Sequence, residues 1–310
     1  MITEEMSNRL ENIKKNNYDG ATSLTAQVIQ FFIDYLKQIK SENKVLNKDE
    51  IRQIIIQLAN VQPSMAPILL FCNRILIMID TEVEKNLFKS LMNYCLKSLQ
   101  SIQYASERID GFAEEIISDN DKIVTYSSSS LVLHFLKYLK DNDYVFSVYC
   151  SESRPINEGL IFTEQLSKYE IDVTLMTDAS LFSSLFKYDL VLLGADAISI
   201  SGVTNKIGSN VITMLADHYK IPIYSLSLIE KILPYPYKVK AYQNHDIKEI
   251  TAHKSPHLTV ENKYFDTSPL NLFTGVITQE GVFKMDDLKS YMKSVPLHDA
   301  MKKLLVNSKE

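Results

Sequence analysis

The stretch KIVTYSSSSLVLHFLKYLKDNDYVFSVYCSES, residues 122–153, decides the fold. It opens on a short β-type run, KIVTYS, and passes through four serines, Ser127 to Ser130. It then turns amphipathic and helical over LVLHFLKYLKD and closes on a strand-like run, YVFSVYCSES. Strand, helix and strand in that order form a parallel crossover unit. The alternation continues downstream. EGLIFTEQLSKY is helical, IDVTLMTD strand-like, ASLFSSLFKY helical, and DLVLLGADAIS strand-like. NKIGSNVITMLADHYK is helical and IPIYSLSL strand-like. The strands are short apolar runs without polar alternation, as expected where both faces of a sheet are covered. An α/β class with a parallel sheet follows.

Upstream the pattern differs. SLTAQVIQFFIDYLKQI carries apolar residues at helical spacing from Leu24 to Ile39. Asn47 and Asp49 open a second helix, KDEIRQIIIQLANV, which Pro63 and Pro67 break before APILLFCNRILIMID. A fourth helical segment runs from about Glu82 past Tyr104. We therefore expect a helical N-terminal domain over residues 1–118 and the α/β domain over 119–310. From Ile229 to about Phe265 the chain reads as an irregular surface connection, followed by a last strand and turn in FTGVITQEGV and a terminal helix in KMDDLKSYMKS.

The chain has 310 residues, 45% hydrophobic and 23% charged, enough for a substantial core. Its net charge of −5 gives no sign of a nucleic-acid partner held by bulk charge. Cys72, Cys95 and Cys150 are far apart and lie in apolar contexts, which fits buried free thiols and a reducing compartment. The six histidines show no metal-ligand spacing, so neither a metal nor a cofactor is expected. The N-terminus is too polar for a signal peptide, and the longest apolar stretch, Met65 to Ile79, is interrupted by Asn73 and Arg74. A cytoplasmic protein without membrane contact is the expectation.

In an open parallel sheet, ligands bind beyond the carboxyl ends of the strands. That rule collects Ser127 to Ser130, Glu152 with Arg154, Asp178 and Asp196 on one rim. The serines read as a linker, a phosphate cradle or the remains of a catalytic site; at a strand end the cradle fits better. Asp196 reads either as a partly desolvated general acid or base or as a cap on the next turn. Asn205 is placed to cap the following helix, with Lys206 adding charge and Gly208 allowing close approach to an anion; an ordinary capped helix is the plain alternative. Arg154 is able to hold a carboxylate or phosphate, or to pair with Glu152. No GxGxxG, Walker loop or GxSxG elbow is present.

SESRPINEG, LLGADAISISGVTNKIGSNVITMLADHYKIPIY and YFDTSPLNLFTGVITQEGV resemble the translation initiation factor 2B family. GATSL at Gly20 and Ala21, and QPSMAP at Gln62, resemble its N-terminal landmarks. The family includes the alpha, beta and delta regulatory subunits of eukaryotic initiation factor 2B, archaeal relatives, ribose-1,5-bisphosphate isomerase and methylthioribose-1-phosphate isomerase. The resemblance implies a helical N-terminal domain, a Rossmann-like C-terminal domain, and dimers or larger homo- or hetero-oligomers. Initiation factor 2 or other 2B-like subunits are the implied protein partners.

The family's isomerases use a cysteine after the first C-terminal strand and the aspartate of GAD. Asp196 matches the aspartate, whereas Ser127 stands at the cysteine position. Two arginines that contact phosphate in the isomerases correspond to Asp19 and Gln62. The resemblance therefore implies a regulatory or scaffold member without catalysis, able to hold one sugar phosphate or nucleotide phosphate through Ser127, Ser128, Ser129, Ser130, Asn205 and Lys206. The alternative it leaves is an aldose–ketose isomerase of a sugar 1-phosphate.

Overall fold

The computed structural model describes residues 3–15, 21–42, 44–61, 65–238 and 245–307. Five helices come first: α1 (Glu4–Lys15), α2 (Ala21–Ser41), α3 (Lys48–Ala59), α4 (Ala66–Thr81) and α5 (Glu84–Ala113). Asn47 caps α3 as the sequence predicts, its side chain accepting from the amides of Asp49 at 2.8 Å and Glu50 at 3.1 Å. Pro67 does not break a helix; it lies in the first turn of α4, where its missing N–H is no loss. α2 buries Leu24, Val28, Phe31, Phe32, Tyr35, Leu36 and Ile39 along one stripe. α4 is apolar on most of its circumference because the other helices surround it. Each fully buried Leu or Ile there contributes about 1.5–3 kcal/mol.

α5 joins the two halves. Leu87, Leu91 and Cys95 pack into the helical core, while Ala105, Ile109 and Ala113 pack against the sheet. At 30 residues it spans about 45 Å. The helical core also takes in Ala197, Leu233, Met301 and Leu305, so the two halves share packing.

The α/β half runs β1 (Asp121–Val124), α6 (Ser130–Asp141), β2 (Phe146–Ser151), α7 (Glu158–Lys168), β3 (Val173–Met176), α8 (Asp178–Ser183), β4 (Leu190–Leu193), β5 (Ala197–Ser199), β6 (Gly202–Lys206), α9 (Ser209–Tyr219) and β7 (Ile223–Leu226). Then come β8 (Tyr237–Lys238), β9 (Phe265–Ser268), β10 (Gly275–Thr278), β11 (Gly281–Phe283), α10 (Met285–Ser294), α11 (Asp299–Lys302) and β12 (Val306–Asn307). The main sheet has seven strands in the order β11-β10-β7-β4-β1-β2-β3. The six strands from β3 to β10 pair in parallel, and β11 adds an antiparallel edge. β1 pairs in register with β2 (Ile123 with Val148) and with β4 (Val124 with Val191). From β1 the chain winds outward through β2 and β3, then returns to β4 on the other side. The gap beyond β1 and β4 is therefore the topological switch point, where ligands bind in such sheets. All four residues of β4 are buried, as the continuous apolar run predicts.

Three expectations need correction. DLVLLGADAIS is not one strand: β4 ends at Leu193, and β5 belongs to a separate antiparallel sheet, β5-β6-β9. Asn205 and Lys206 lie in β6, and α9 starts only at Ser209, because their backbones pair with Asp266 and Phe265 of β9. The segment after Ile229 is not all surface: Ile232 and Leu233 are fully buried, and Ile232 bridges to Ile198 of β5. FTGVITQEGV forms a hairpin of two strands, β10 and β11. No helix among the described residues is long and apolar enough to cross a membrane. All three cysteines are free and buried, and burial pushes each thiol up.

Candidate functional site at the switch point

The serine turn is already spent on the protein's own groups. Ser127 adopts φ 68, a left-handed conformation that costs a serine about 1 kcal/mol or more. Two bonds hold it there. Its amide donates to Ser153 Oγ at 2.9 Å, and its hydroxyl donates to Glu158 Oε1 at 2.8 Å. Ser129 caps α6, its Oγ accepting from the Val132 amide at 3.4 Å. Ser128 and Ser130 are exposed. A Cβ on Gly194 would lie 2.7 Å from Ser129 Oγ, so glycine lets the β4 end close against the serine turn.

Glu158, the first residue of α7, also meets the one cation that reaches the rim from β6. Lys206 Nζ lies 2.8 Å from the Glu158 carboxylate, with the lysine side chain only 3% exposed. The ammonium also sits 4.8 Å from the centroid of the Tyr264 ring. Tyr264 in turn donates to Glu249 at 2.5 Å. A lysine this buried needs such partners, since an unpaired charge in low dielectric is strongly disfavoured. Its charge is thus matched internally.

Asp196 is the opposite case. Its amide donates to Thr204 O at 2.8 Å, but its carboxylate makes no hydrogen bond among the described residues. It does not cap the next turn. Burial raises its pKa; Lys231 and Lys206 pull it back down, and Glu158 pushes it up. Lys231, just after β7, donates from Nζ to Ala195 O at 2.5 Å, and burial lowers its pKa while Asp196 raises it. A carboxyl that holds its proton more tightly than usual, beside a lysine that releases its own more readily, is an arrangement suited to proton transfer.

The start of α9 carries a built-in anion. Asp266 of β9 accepts from the Gly208 amide at 2.8 Å and from the Asn210 amide at 3.2 Å. These are the donors that an external phosphate would use. Burial pushes the Asp266 carboxyl up to about 6, against the lowering effect of those two amides. Gly208 has φ 104, and a Cβ there would meet Tyr126 Oη at 2.5 Å. Asn205 is buried and donates to Ser209 Oγ at 3.1 Å, so it supports the helix start from the strand side.

Asp178 and Arg154 shape the neighbouring loop. Asp178 accepts from Ser151 Oγ at 2.6 Å and from the amides of Ser153 and Arg154, both at 2.9 Å. Arg154 does not pair with Glu152; its guanidinium donates to the Glu249 carbonyl at 3.1 Å. Ala21 begins α2, and its carbonyl accepts from Thr25 Oγ1 at 2.6 Å. Gly20, Asp19 and Gln62 lie outside the described residues.

The fold brings Ser127, Asp196 and Lys206 into one charge network through Glu158. It leaves Arg154 and Asp178 as loop supports. Sequence reading missed Glu158, Lys231 and Asp266. Glu158 and Lys231 follow strand ends, so the carboxyl-end rule finds them when extended to the next helix or turn. Asp266 comes from an antiparallel strand and carries no such signal. Among the described residues, no group of three or more His, Cys, Asp or Glu is placed to hold a metal ion.

The model of the "Initiation factor 2 subunit family" matches residues 17–285. A protein of Methanocaldococcus jannaschii named ribose 1,5-bisphosphate isomerase is 25% identical, over 88% of this chain and 89% of its own length. A protein of Pyrococcus abyssi named putative translation initiation factor eIF-2B subunit 2-like is 26% identical, over 91% of this chain and 97% of its own. A chain of the tetrameric eIF2B-beta2-delta2 complex from C. thermophilum superposes with a TM-score of 0.71 at 18% identity, covering 92% of each chain. With 269 of its 310 residues matched by that model, the chain belongs to the initiation factor 2 subunit family.

Proposed function

We propose that this chain is a translation initiation factor 2B-like regulatory or scaffold protein that does not catalyse isomerisation. One observation carries the reading. Ser127 stands where the resemblance places the isomerases' thiol, and its hydroxyl is bound to Glu158. A serine gives no thiolate, and the adjacent carboxylate disfavours any anion at that position. The same carboxylate neutralises Lys206. A phosphate entering the rim has to displace Glu158, so the site takes at most one, from a sugar phosphate or a nucleotide, and holds it weakly.

Assembly is the remaining role, through an apolar strip on α9 and the turn before β4. Val211, Met214 and Tyr219 are 42%, 57% and 43% exposed, and Phe186, 55% exposed, packs on Tyr219 with ring centroids 5.8 Å apart. A contiguous exposed strip of this kind marks a protein interface. Its occupant in the proposed reading is a second copy or a related subunit. Light scattering on the purified chain gives a dimer or larger species, and Met214→Asp shifts it to monomer.

The catalytic test is direct. The chain is incubated with ribose 1,5-bisphosphate and with methylthioribose 1-phosphate, and ketose formation is followed. No turnover is expected. The second reading, an isomerase of altered substrate, rests on Asp196 with Lys231; turnover that vanishes in Asp196→Asn establishes it and removes the first.

A further inference from the structure

A cavity of about 250 Å³ lies away from the rim, between the helical half and the sheet half. α2, α4 and α5 supply one side; the turn after β7 and α10 with the segment that follows it supply the other. The lining is mostly apolar, including Ile29, Leu70, Phe71 and Ile102. Its volume is near the lower end of small-molecule sites, about 300 Å³, so the occupant is smaller than a nucleotide.

Among the described residues that line it, two are charged, Arg74 and Glu230. They do not pair with each other, and the exposed Arg74 guanidinium makes no hydrogen bond or ion pair among the described residues. Glu230 is fixed in place. It accepts from Gln279 Nε2 at 2.7 Å and from Ser101 Oγ at 3.4 Å, which leaves further acceptor capacity on the carboxylate. Tyr94 and Tyr291 stay neutral, their hydroxyls pushed up by burial, for Tyr291 to about 12. The cavity therefore offers one planar donor fork, one carboxylate and apolar side chains around them.

We infer that this cavity binds a free α-amino acid with an apolar side chain, its carboxylate on Arg74 and its ammonium on Glu230. A guanidinium fork matches a carboxylate. A phosphorylated ligand is disfavoured, because a single cation faces it beside a fixed anion. A purely apolar ligand covers the Arg74 charge without giving it a partner and leaves the spare acceptor capacity of Glu230 unused. A zwitterion satisfies both charges at once and keeps the site neutral. This assignment does not depend on the reading of the rim.

The test uses the full chain and calorimetric titration with L-leucine and L-phenylalanine. Phenethylamine and 3-phenylpropionate, each lacking one charged end, serve as controls. The amino acid binds more tightly than either control. Arg74→Gln and Glu230→Gln each weaken it about 10- to 100-fold, the loss of one charge-assisted contact. Leu70→Trp fills the space and abolishes binding with both charges present, and melting curves of all three variants confirm folding. Ribose 1,5-bisphosphate does not compete. The assignment is overturned if neither amino acid binds at millimolar concentration, if 3-phenylpropionate binds as tightly as phenylalanine, or if the folded charge variants bind unchanged.

Discussion

The rim beyond β1 and β4 and the cavity between the two halves use charge in opposite ways. At the rim, cations and helix-end donors are matched from within: Lys206 by Glu158, the α9 amides by Asp266, the Arg154 loop by Asp178. In the cavity, Arg74 and Glu230 stay unpaired with each other. The difference follows from exposure. A lysine side chain 3% exposed cannot be left alone at tolerable cost, whereas an exposed arginine is solvated when no ligand is present. Internal pairing stabilises a fold and blocks a site; unpaired charge leaves a site open.

The largest way to break the comparison is Glu158→Gln. It strands Lys206, and we expect a loss of about 3–5 kcal/mol in urea unfolding. Lys206→Met costs less, because the Glu158 side chain, 20% exposed, still reaches water. The double variant recovers much of the Glu158→Gln loss; a strictly additive cycle would show that the two charges are not coupled.

Gly159→Ala comes next. A Cβ there would sit 1.8 Å from the Ser151 carbonyl oxygen, so α7 has to move away from β2. Overpacking of this kind costs about 1–3 kcal/mol, and unfolding curves unchanged from wild type would refute the contact.

Asp266 gives a pH signature of similar or smaller size. Its carboxyl titrates near 6 in the folded chain against an ordinary value of 3.8, so the folded state holds the extra proton between those values. Stability from this group therefore falls as pH rises through about 4 to 6. The wild type gains on Asp266→Asn as pH drops across that window, by on the order of 2 kcal/mol. A constant difference between the two melting profiles would contradict the raised value.

The smallest effect is on the cavity side. Arg74→Gln changes stability by no more than about 0.5 kcal/mol, since the side chain is exposed and bonded to nothing described. A larger loss would mean that Arg74 is structural, and the contrast between the two regions would weaken.

Particular elements show what was legible before the structure. The β1-α6-β2 unit, the helical stripe of α2 and the Asn47 cap were readable because each depends on neighbours a few residues apart. The break after Leu193 was not. GADAIS looks like a continued apolar strand, and only pairing of β6 with β9, 59 to 65 residues downstream, pulls it into a second sheet. The same pairing moved Asn205 from a helix cap into a strand.

The residues of the site divide in the same way. Sequence alone determined the chemistry available: a hydroxyl at Ser127, a carboxyl at Asp196, an amine at Lys206, and the alternating pattern that puts strand ends on one rim. Only the tertiary structure decided that Glu158 spans Ser127 and Lys206, that Asp266 fills the start of α9, and that Lys231 faces Asp196. Residue types and periodicity are local properties of the chain. Whether a charge is free or neutralised depends on which distant segments burial forces together, and no local pattern encodes that.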